Sequence, residues 1–384
     1  MTQVLPKGWE EKTLGEVCEI ISGTTPDTKN SKYWGGSNYW ITPAELSEEK
    51  IFIADCRRKI TDLAIQQCSL RPMPKGTVIF SSRAPIGKVA INNVDTLYCN
   101  QGFKNFICSK SIYNKFLYYF LKLNTPLLIS LGNGTTFKEI SKSTISKVNI
   151  RLPSLLEQKQ IVEKLDKIFA NINKAKEQTT QNLKNAQDVF NAQLTEIFNL
   201  SKTDGAQAEL QDVCAKISAG GDKPAAFSKE PTSQCKIPVY ANGEQNDGLL
   251  GFTDVPTISQ PALTVAARGT IGFTCKRLTP YCPIVRLISL IPNSEKISLD
   301  FLFYALKYLI PTGNGTSIPQ LTLPIIRKFH ISYPASLDLQ AKIVDRLNQL
   351  FNTTQELEKI YTQKLADLDE LKQSVLQQAF SGKL

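Results

Sequence analysis

Apolar residues recur at alternating spacings of four and three along two long segments of the chain. This spacing places them on one face of a helix and is typical of a coiled-coil seam. Each segment is about 42 residues long, or roughly 60 Å at 1.5 Å per residue. The predicted apolar seam positions are Ile161, Leu165, Ile168, Ile172, Ala175, Ala186 and Val189, and then Ile343, Leu347, Leu350, Leu357, Tyr361, Leu368, Leu371 and Val375. Polar residues stand at the seam positions Thr179, Asn182, Thr354 and Lys364.

The remaining sequence carries short runs of β-branched and aromatic residues bounded by glycine and proline, which predict strands. Residues 77–80, 88–91 and 263–265 are examples. Apolar residues at helical spacing in 112–123 and 299–310 predict one helix in each strand-rich region. The fold class predicted for these regions is therefore mixed α/β (α+β), with strands dominant.

The two halves of the chain repeat each other. LGEVCEIISGTTP at residues 14–26 returns as LQDVCAKISAGGDKP at 210–224, and the turn GNGTT at 132–136 returns as GNGTS at 313–317. A short β-like run ending in proline and then a long helix follow each turn. The repeated unit is half the chain, which is far longer than a solenoid repeat.

The repeat predicts a domain organisation. Residues 1–156 and 201–338 form two globular domains, and residues 157–200 and 339–384 form the helical segments between and after them. If a pseudo-twofold axis relates the halves, the two helices pair as an antiparallel coiled coil. In the alternative, each helix packs separately on its own globular domain.

The net charge of +10 lies in the globular regions. Lys and Arg outnumber Asp and Glu by eight in residues 1–156 and by two in 201–338, whereas the charges balance in both helical segments. A charge that served only solubility would be expected on the long exposed helices as well. Its location favours an anionic partner for the globular domains.

Several classes of enzyme are disfavoured because their motifs are missing from the sequence. It has no GxxxxGK[ST] phosphate loop, no glycine-rich nucleotide fingerprint, no asparagine-proline-proline-aromatic run of an adenine methyltransferase and no spaced acid cluster for two metals. Its nine cysteines form no CxxC pair, and His330 is the one histidine, so we expect no metal site and no disulfide framework. We expect no catalytic residue and no cofactor bound by this chain.

Membrane insertion is also disfavoured. No run of about 18 apolar residues occurs, and the first residues, MTQVLPKGWE, lack the apolar stretch of a secretory signal. We therefore expect a cytoplasmic protein without a membrane partner.

The chain resembles the DNA specificity subunits of type I restriction-modification systems. The strings that carry the resemblance are PKGWEEKTLGEV near the start, YWGGSNYWITPAEL at 33–46, SSRAPIGKVAI at 81–91, NQGF at 100–103, GTTFKEIS at 134–141, LPSLLEQKQIV at 152–162 and the terminal LKQSVLQQAFSGKL. They cover both halves, and their order and spacing together are specific.

The resemblance implies a noncatalytic subunit whose partner is double-stranded DNA. It has two target recognition domains, each reading one half of a split DNA site. Two long helices set the length of the unread DNA between the two half-sites. They also dock two modification methyltransferase subunits. Those partners bring S-adenosylmethionine and methylate adenine, and a restriction subunit, where one is present, adds ATP- and Mg-dependent translocation and cleavage. The block at 33–42 has no copy in the second half, so the predicted DNA site is asymmetric.

We expect the DNA-binding residues to lie on turns that follow the predicted strands. Cations there suit phosphates, and hydroxyls and amides suit phosphates or base edges. The candidates in the first half are Ser22, Gly23, Thr24, Thr25, Lys29, Lys32, Tyr33, Arg83, Lys104, Thr135, Thr136 and Lys138. Those in the second half are Lys223, Asn242, Arg268, Asn314, Thr316 and Gln320. Trp34 and Trp40 would line the groove or flank a flipped base.

Each candidate also has a structural interpretation. Arg83 and Arg268 occupy corresponding turns and would brace them through backbone carbonyls, the GNGT repeat would be kept for its turn geometry, and the tryptophans would belong to the core. For the whole chain, the alternatives are a protein scaffold whose domains cap the helices, and a self-sufficient methyltransferase or nuclease.

Overall fold

The computed structural model describes the chain except residues 1–4, 48–49, 84, 135–137 and 311–319 and the side chains of 200–204. The chain forms two compact units, residues 1–178 with 364–384, and residues 179–363. Each unit contains one strand-rich lobe and part of both long helices. We call residues 10–152 lobe 1 and residues 206–333 lobe 2.

Lobe 1 is built from three sheets. Their strand orders are β2-β10-β7-β8-β4, β5-β3-β9-β6 and β1-β11. The strands are β1 (Glu10–Thr13), β2 (Cys18–Ile21), β3 (Trp34–Ile41), β4 (Phe52–Ile53), β5 (Arg58–Ile60), β6 (Met73–Pro74), β7 (Val78–Ser81), β8 (Val89–Asn92), β9 (Thr96–Cys99), β10 (Phe103–Cys108) and β11 (Asn149–Leu152). The helices are α1 (Leu14–Val17), α2 (Asp62–Gln67), α3 (Asn114–Leu123), α4 (Thr125–Ser130) and α5 (Lys142–Ser146), and the long helix α6 (Leu155–Asp204) follows.

The core of lobe 1 lies between the central sheet and α3. All four residues of both β7 and β8 are buried, as expected for a strand covered on both faces. Helix α3 buries a run of apolar and aromatic residues that includes Phe116 and Leu117. The strands predicted at 77–80 and 88–91 and the helix predicted at 112–123 are therefore confirmed, with their limits shifted by one or two residues.

Lobe 2 repeats this plan with different outer strands. Its sheets have the orders β13-β19-β16-β17, β15-β14-β18 and β12-β20. The strands are β12 (Ala206–Glu209), β13 (Cys214–Ala219), β14 (Ile237–Tyr240), β15 (Leu249–Thr253), β16 (Ala262–Val265), β17 (Thr274–Arg277), β18 (Cys282–Pro283), β19 (Ile288–Pro292) and β20 (His330–Tyr333). The helices are α7 (Leu210–Val213), α8 (Leu299–Leu309) and α9 (Leu323–Arg327), and the second long helix, α10 (Leu337–Phe380), follows.

The two long helices pack against each other in opposite directions within each unit. In the first unit, Lys176 pairs with Asp369 at 2.6 Å, while Lys372 lies 5.3 Å from the ring of Phe169. In the second unit the rings of Phe190 and Phe351 are 5.6 Å apart. The predicted antiparallel pairing is therefore confirmed, and each helix also packs on its own lobe.

The predicted seam is right in the first part of α6 and wrong after its polar middle. Leu165 and Ile172 are buried, and so is the polar seam residue Thr179. Val189 is 54% exposed, and Phe190 takes its place against α10. Leu371 in α10 is likewise exposed. A helix has 3.6 residues per turn rather than 3.5, so a strict heptad pattern drifts off the buried face along a long helix.

No helix in the described part of the chain is long and apolar enough to cross a membrane.

Candidate nucleic-acid interface

Several turns that carry predicted DNA-binding residues meet at one edge of lobe 1, which we call edge 1. The turn after β2 lies on the turn between β9 and β10. The backbone N–H of Thr24 donates to the Cys99 carbonyl at 3.0 Å, and the Thr25 hydroxyl donates to Gln101 Oε1 at 2.6 Å. Edge 1 comprises residues 22–26, 42–46, 81–88, 99–103 and 133–139, as far as they are described.

Gly23 allows the close approach of these two turns. A Cβ atom at this position would lie 2.0 Å from the Cys99 carbonyl oxygen and 2.5 Å from that of Asn100. No side chain fits in this space, so glycine is required by packing. Ser22 is half-buried beside it, whereas Thr24 is exposed. The predicted motif thus presents one exposed hydroxyl and a fixed backbone.

Arg83 lies in the turn between β7 and β8, and its side chain is 36% exposed. Its Nη1 atom is 3.8 Å from Oε2 of Glu139, and the two residues also form a backbone bridge. Lys104, on β10, is 6% exposed, and its ammonium donates to Glu139 Oε1 at 3.0 Å and to Ser82 Oγ at 3.3 Å. Lys104 is therefore engaged inside the lobe, below the turn that carries Arg83.

The remaining candidates of lobe 1 that the structure describes do not take part in the contacts around Gly23 and Arg83 given above. Lys29, Lys32 and Lys138 are exposed. The Tyr33 hydroxyl donates to Gln67 Oε1 at 2.8 Å. The predicted residues Thr135 and Thr136 lie outside the described residues.

The aromatic block of β3 is divided between core and surface. Trp40 is 1% exposed and donates from its indole N–H to the Thr24 carbonyl at 3.2 Å, so it supports edge 1 from inside. Trp34 packs edge-on against Trp40 with ring centroids 5.0 Å apart. It is partly exposed, and the Arg58 guanidinium lies 5.7 Å from its ring. Of the two tryptophans, Trp34 is therefore the one whose exposed ring could contact DNA.

Lobe 2 has a corresponding set of turns, which we call edge 2. Arg268 is exposed in the turn after β16 and donates to Gln320 Oε1 at 3.2 Å. Asn242 ties two turns together, because its Nδ2 donates to the Val285 carbonyl at 2.7 Å and its Oδ1 accepts from the Ala267 N–H at 2.8 Å. Edge 2 comprises residues 219–223, 240–243, 266–272, 284–287 and 320.

Of the other candidates of lobe 2, one is described by the structure and two are not. Lys223 is exposed, and its ammonium lies 3.7 Å from the centre of the Phe227 ring. This cation–π contact holds the charge beside edge 2. The predicted residues Asn314 and Thr316 lie outside the described residues.

Edge 2 contains a turn whose importance the sequence did not reveal. Val285 and Arg286 have φ values of 52° and 61°, in the left-handed region that β-branched residues rarely adopt. Hydrogen bonds from their N–H groups to the carbonyls of Gly221 and Gly220, at 2.9 and 3.1 Å, hold the turn. The strain places the exposed Arg286 at edge 2.

Sequence reasoning also missed Glu139, the partner of both Arg83 and Lys104. A usable signal was present, because Glu139 and Gln320 stand at the same distance after the repeated GNGT turn. The backbone confirms this equivalence. The residue after Glu139, Ile140, donates to the Ser82 carbonyl at 3.1 Å, and the residue after Gln320, Leu321, donates to the Ala267 carbonyl at 3.0 Å.

Comparisons with known proteins agree on one family. The family profile described as "Type I restriction modification DNA specificity domain" matches residues 6–185 and 204–366. The chain is 43% identical over 160 residues to the type I restriction enzyme MjaIX specificity subunit of Methanocaldococcus jannaschii, covering 41% of this chain and 37% of that protein. It is 29% identical over 247 residues to a putative type I specificity subunit of Mycoplasma pneumoniae, covering 63% of this chain and 66% of that protein. The matches thus span less than two thirds of either relative.

Solved structures share the fold at low identity. A chain from a study of complex assembly and conformational transition of the type I R-M system superposes with a TM-score of 0.83 at 21% identity, over 99% of this chain and 100% of that one. The HsdS subunit from Thermoanaerobacter tengcongensis gives a TM-score of 0.61 at 22% identity, over 100% of both chains. The profile match covers most of both halves, and the chain therefore belongs to the family of type I restriction-modification DNA specificity domains.

Proposed function

We propose that the chain is the noncatalytic, sequence-reading subunit of a type I restriction-modification system. Family membership supports a role in DNA recognition. The observation that carries the proposal is the recurrence of an arginine, Arg83 or Arg268, in the same turn of each lobe, next to other exposed cations. Arginines on rigid turns suit phosphates and guanine edges, since their guanidinium groups donate two hydrogen bonds at once.

The DNA site that we propose is bipartite and asymmetric. Edge 1 and edge 2 share their arginine turn but differ in the strands beside it. In lobe 1 these are β3 and β5 with Trp34 and Arg58, and in lobe 2 they are β14 and β15 with the strained turn at Val285. Different side chains at the two edges would read different half-sites. The domain limits 1–156 and 201–338 remain part of this proposal.

Catalysis would come from partners. In this proposal two modification methyltransferase subunits bring S-adenosylmethionine and methylate adenine at N6, and a restriction subunit, where present, uses ATP and Mg. This chain would bind none of these cofactors and would direct the partners to the DNA site. The outer faces of α6 and α10 are rich in exposed polar residues, which suits docking of protein subunits.

The test is to express the chain with its methyltransferase partner and map methylated adenines across the host genome. We expect one motif with two short specified parts and a fixed gap, and footprinting should show two short protected patches. Binding should weaken steeply with salt, as release of counterions from about six or more phosphates requires. An uninterrupted motif would contradict a bipartite reader, and the absence of any protection would favour a protein scaffold.

A further inference from the structure

A buried cation lies below the arginine turn of edge 1. The Lys104 side chain is 7% exposed and has two polar partners, Ser82 Oγ at 3.3 Å and Glu139 Oε1 at 3.0 Å. A buried ammonium is stable only when a counter-charge compensates its lost hydration. The Glu139 carboxylate is therefore held by Lys104 from inside the lobe.

Glu139 stands between this buried cation and Arg83 at the surface. Its Oε1 takes the hydrogen bond from Lys104, and its Oε2 faces Arg83 Nη1 at 3.8 Å, which is beyond hydrogen-bonding distance. A carboxylate without another partner would form a two-pronged pair with a neighbouring guanidinium. Lys104 and Arg83 thus share the same acid, and the contact with Lys104 is the shorter of the two.

In lobe 2 the residues that correspond to Lys104 and Glu139 are both uncharged. Phe80 faces Lys104 across the β7–β10 ladder, and Val265 faces Ile288 across the β16–β19 ladder. Ile288 therefore occupies the position of Lys104, just as Gln320 occupies that of Glu139. The buried cation and the acid are replaced together by an apolar residue and a neutral amide. Each lobe is left with one net positive charge in this set, on its arginine.

We propose that Lys104 is a positioning residue for DNA recognition. By holding Glu139, it leaves the Arg83 guanidinium available for DNA in the half-site read by lobe 1. This inference rests on the proposed function, because it assumes that edge 1 faces DNA. It changes the role predicted for Lys104 from a direct contact with DNA to control of Arg83.

The test uses the full chain with its methyltransferase partner and three variants, Lys104→Ile, Glu139→Gln and the double variant. In K104I the freed Glu139 should close on Arg83. We expect affinity to fall about tenfold and the slope of log K against log salt to decrease by about one, as for one lost phosphate contact. Discrimination against mismatches should weaken in the first half-site only. The double variant reproduces the lobe 2 arrangement and should recover most of the affinity and the slope.

The reciprocal change in lobe 2 provides a matched test. Gln320→Glu places an acid beside Arg268 with no buried cation to hold it, since Ile288 lies below. We expect the same loss of affinity and slope, with weaker discrimination in the second half-site only. Thermal unfolding without DNA is the control for folding. E139Q should melt lowest because Lys104 loses its counter-charge, whereas K104I and the double variant should melt near the parent.

The outcomes separate this inference from the proposed function. A K104I variant that keeps the parent's affinity and salt slope overturns the inference, and so does a double variant that binds as weakly as K104I. If the unmodified chain with its partner protects no DNA, the proposed function fails before any variant is compared, and the inference fails with it.

Discussion

Gln158 and Gln340 make the same set of hydrogen bonds in the two units. The Oε1 atom of each accepts from the N–H of the residue that precedes the core helix of its lobe, Tyr113 at 2.8 Å and Ser298 at 2.9 Å. Each Nε2 atom donates to two backbone carbonyls at 2.8–2.9 Å. Both side chains are fully buried. The first turn of each long helix is thereby joined to the core of its lobe.

The first prediction is that Gln158→Ala destabilises the protein by about 2–4 kcal/mol. It leaves the buried Pro153 carbonyl, and the partly buried Tyr113 N–H and Ser111 carbonyl, without this partner. A buried polar group that loses its partner costs about 1 kcal/mol or more. The measurement is chemical denaturation followed by circular dichroism. Gln160→Ala is the control, because Gln160 is exposed on the same helix and should change stability by less than about 0.5 kcal/mol. Equal effects of the two changes would show that the Gln158 hydrogen bonds contribute little.

The second prediction concerns two adjacent glycines of edge 2. A Cβ on Gly220 would lie 2.6 Å from the backbone of Pro283 and Ile284, whereas one on Gly221 would meet no atom within 4 Å. Gly220→Ala should therefore displace the turn and cost about 1–3 kcal/mol, while Gly221→Ala should be close to neutral. Melting temperatures measure the first effect. Affinity for DNA with an intact second half-site should also fall in G220A. A neutral G220A would show that the turn is looser than its geometry indicates.

The third prediction is a loss of stability between pH 10 and pH 12. Burial raises the pKa of Tyr281 to about 12, and its hydroxyl donates to Ser289 Oγ at 2.9 Å. Above pH 10 the unfolded chain ionises this phenol while the folded chain keeps its proton, so stability falls as pH rises towards the folded pKa. The contribution is about 2–3 kcal/mol across this window.

Tyr281→Phe removes both the hydrogen bond and the ionisable group. At pH 8 it should be about 1 kcal/mol less stable than the parent. The difference should shrink as pH rises, because only the parent carries this alkaline penalty. Denaturation curves taken at intervals from pH 8 to 12 provide the comparison. Parallel curves for parent and variant would show that Tyr281 does not contribute to the pH dependence.

Local patterns were sufficient to predict central strands of both lobes, the core helix of each lobe and the two long helices. The strand at β7 and the helix α8 have the apolar spacing of a covered strand and an amphipathic helix, and both were found. The early seam of α6 followed from the same periodicity. The error at Val189 arose because a strict heptad pattern was extended along the helix until it lay one position off the buried face, where Phe190 packs against α10 instead.

The sites were harder to predict because their contacts join residues that are distant in the sequence. Lys104 was expected at the surface as a cation near a turn, but β10 is covered on both faces at this point, and Lys104 is buried beside Glu139. Trp40 was a candidate for the groove and proved to be core. No local pattern distinguishes an exposed cation from a buried one that has a partner 35 positions away. Comparison of the two lobes in the structure supplies that information, because Lys104 and Glu139 are replaced together by Ile288 and Gln320.

The last prediction tests whether Arg83 contacts DNA or only braces its turn. Arg83→Gln removes the guanidinium of edge 1 and should cost about 1–3 kcal/mol of binding free energy, with discrimination relaxed in the first half-site. The salt slope should fall by about one. Lys110→Gln is the matched control. It removes one exposed charge beyond the other end of β10, away from edge 1, and should leave the discrimination between half-sites unchanged. Binding titrations at several salt concentrations, with each half-site mutated in turn, measure all three quantities. If R83Q lowers the melting temperature but binds with the parent's salt slope, the arginine is a structural brace and edge 1 reads DNA through other groups.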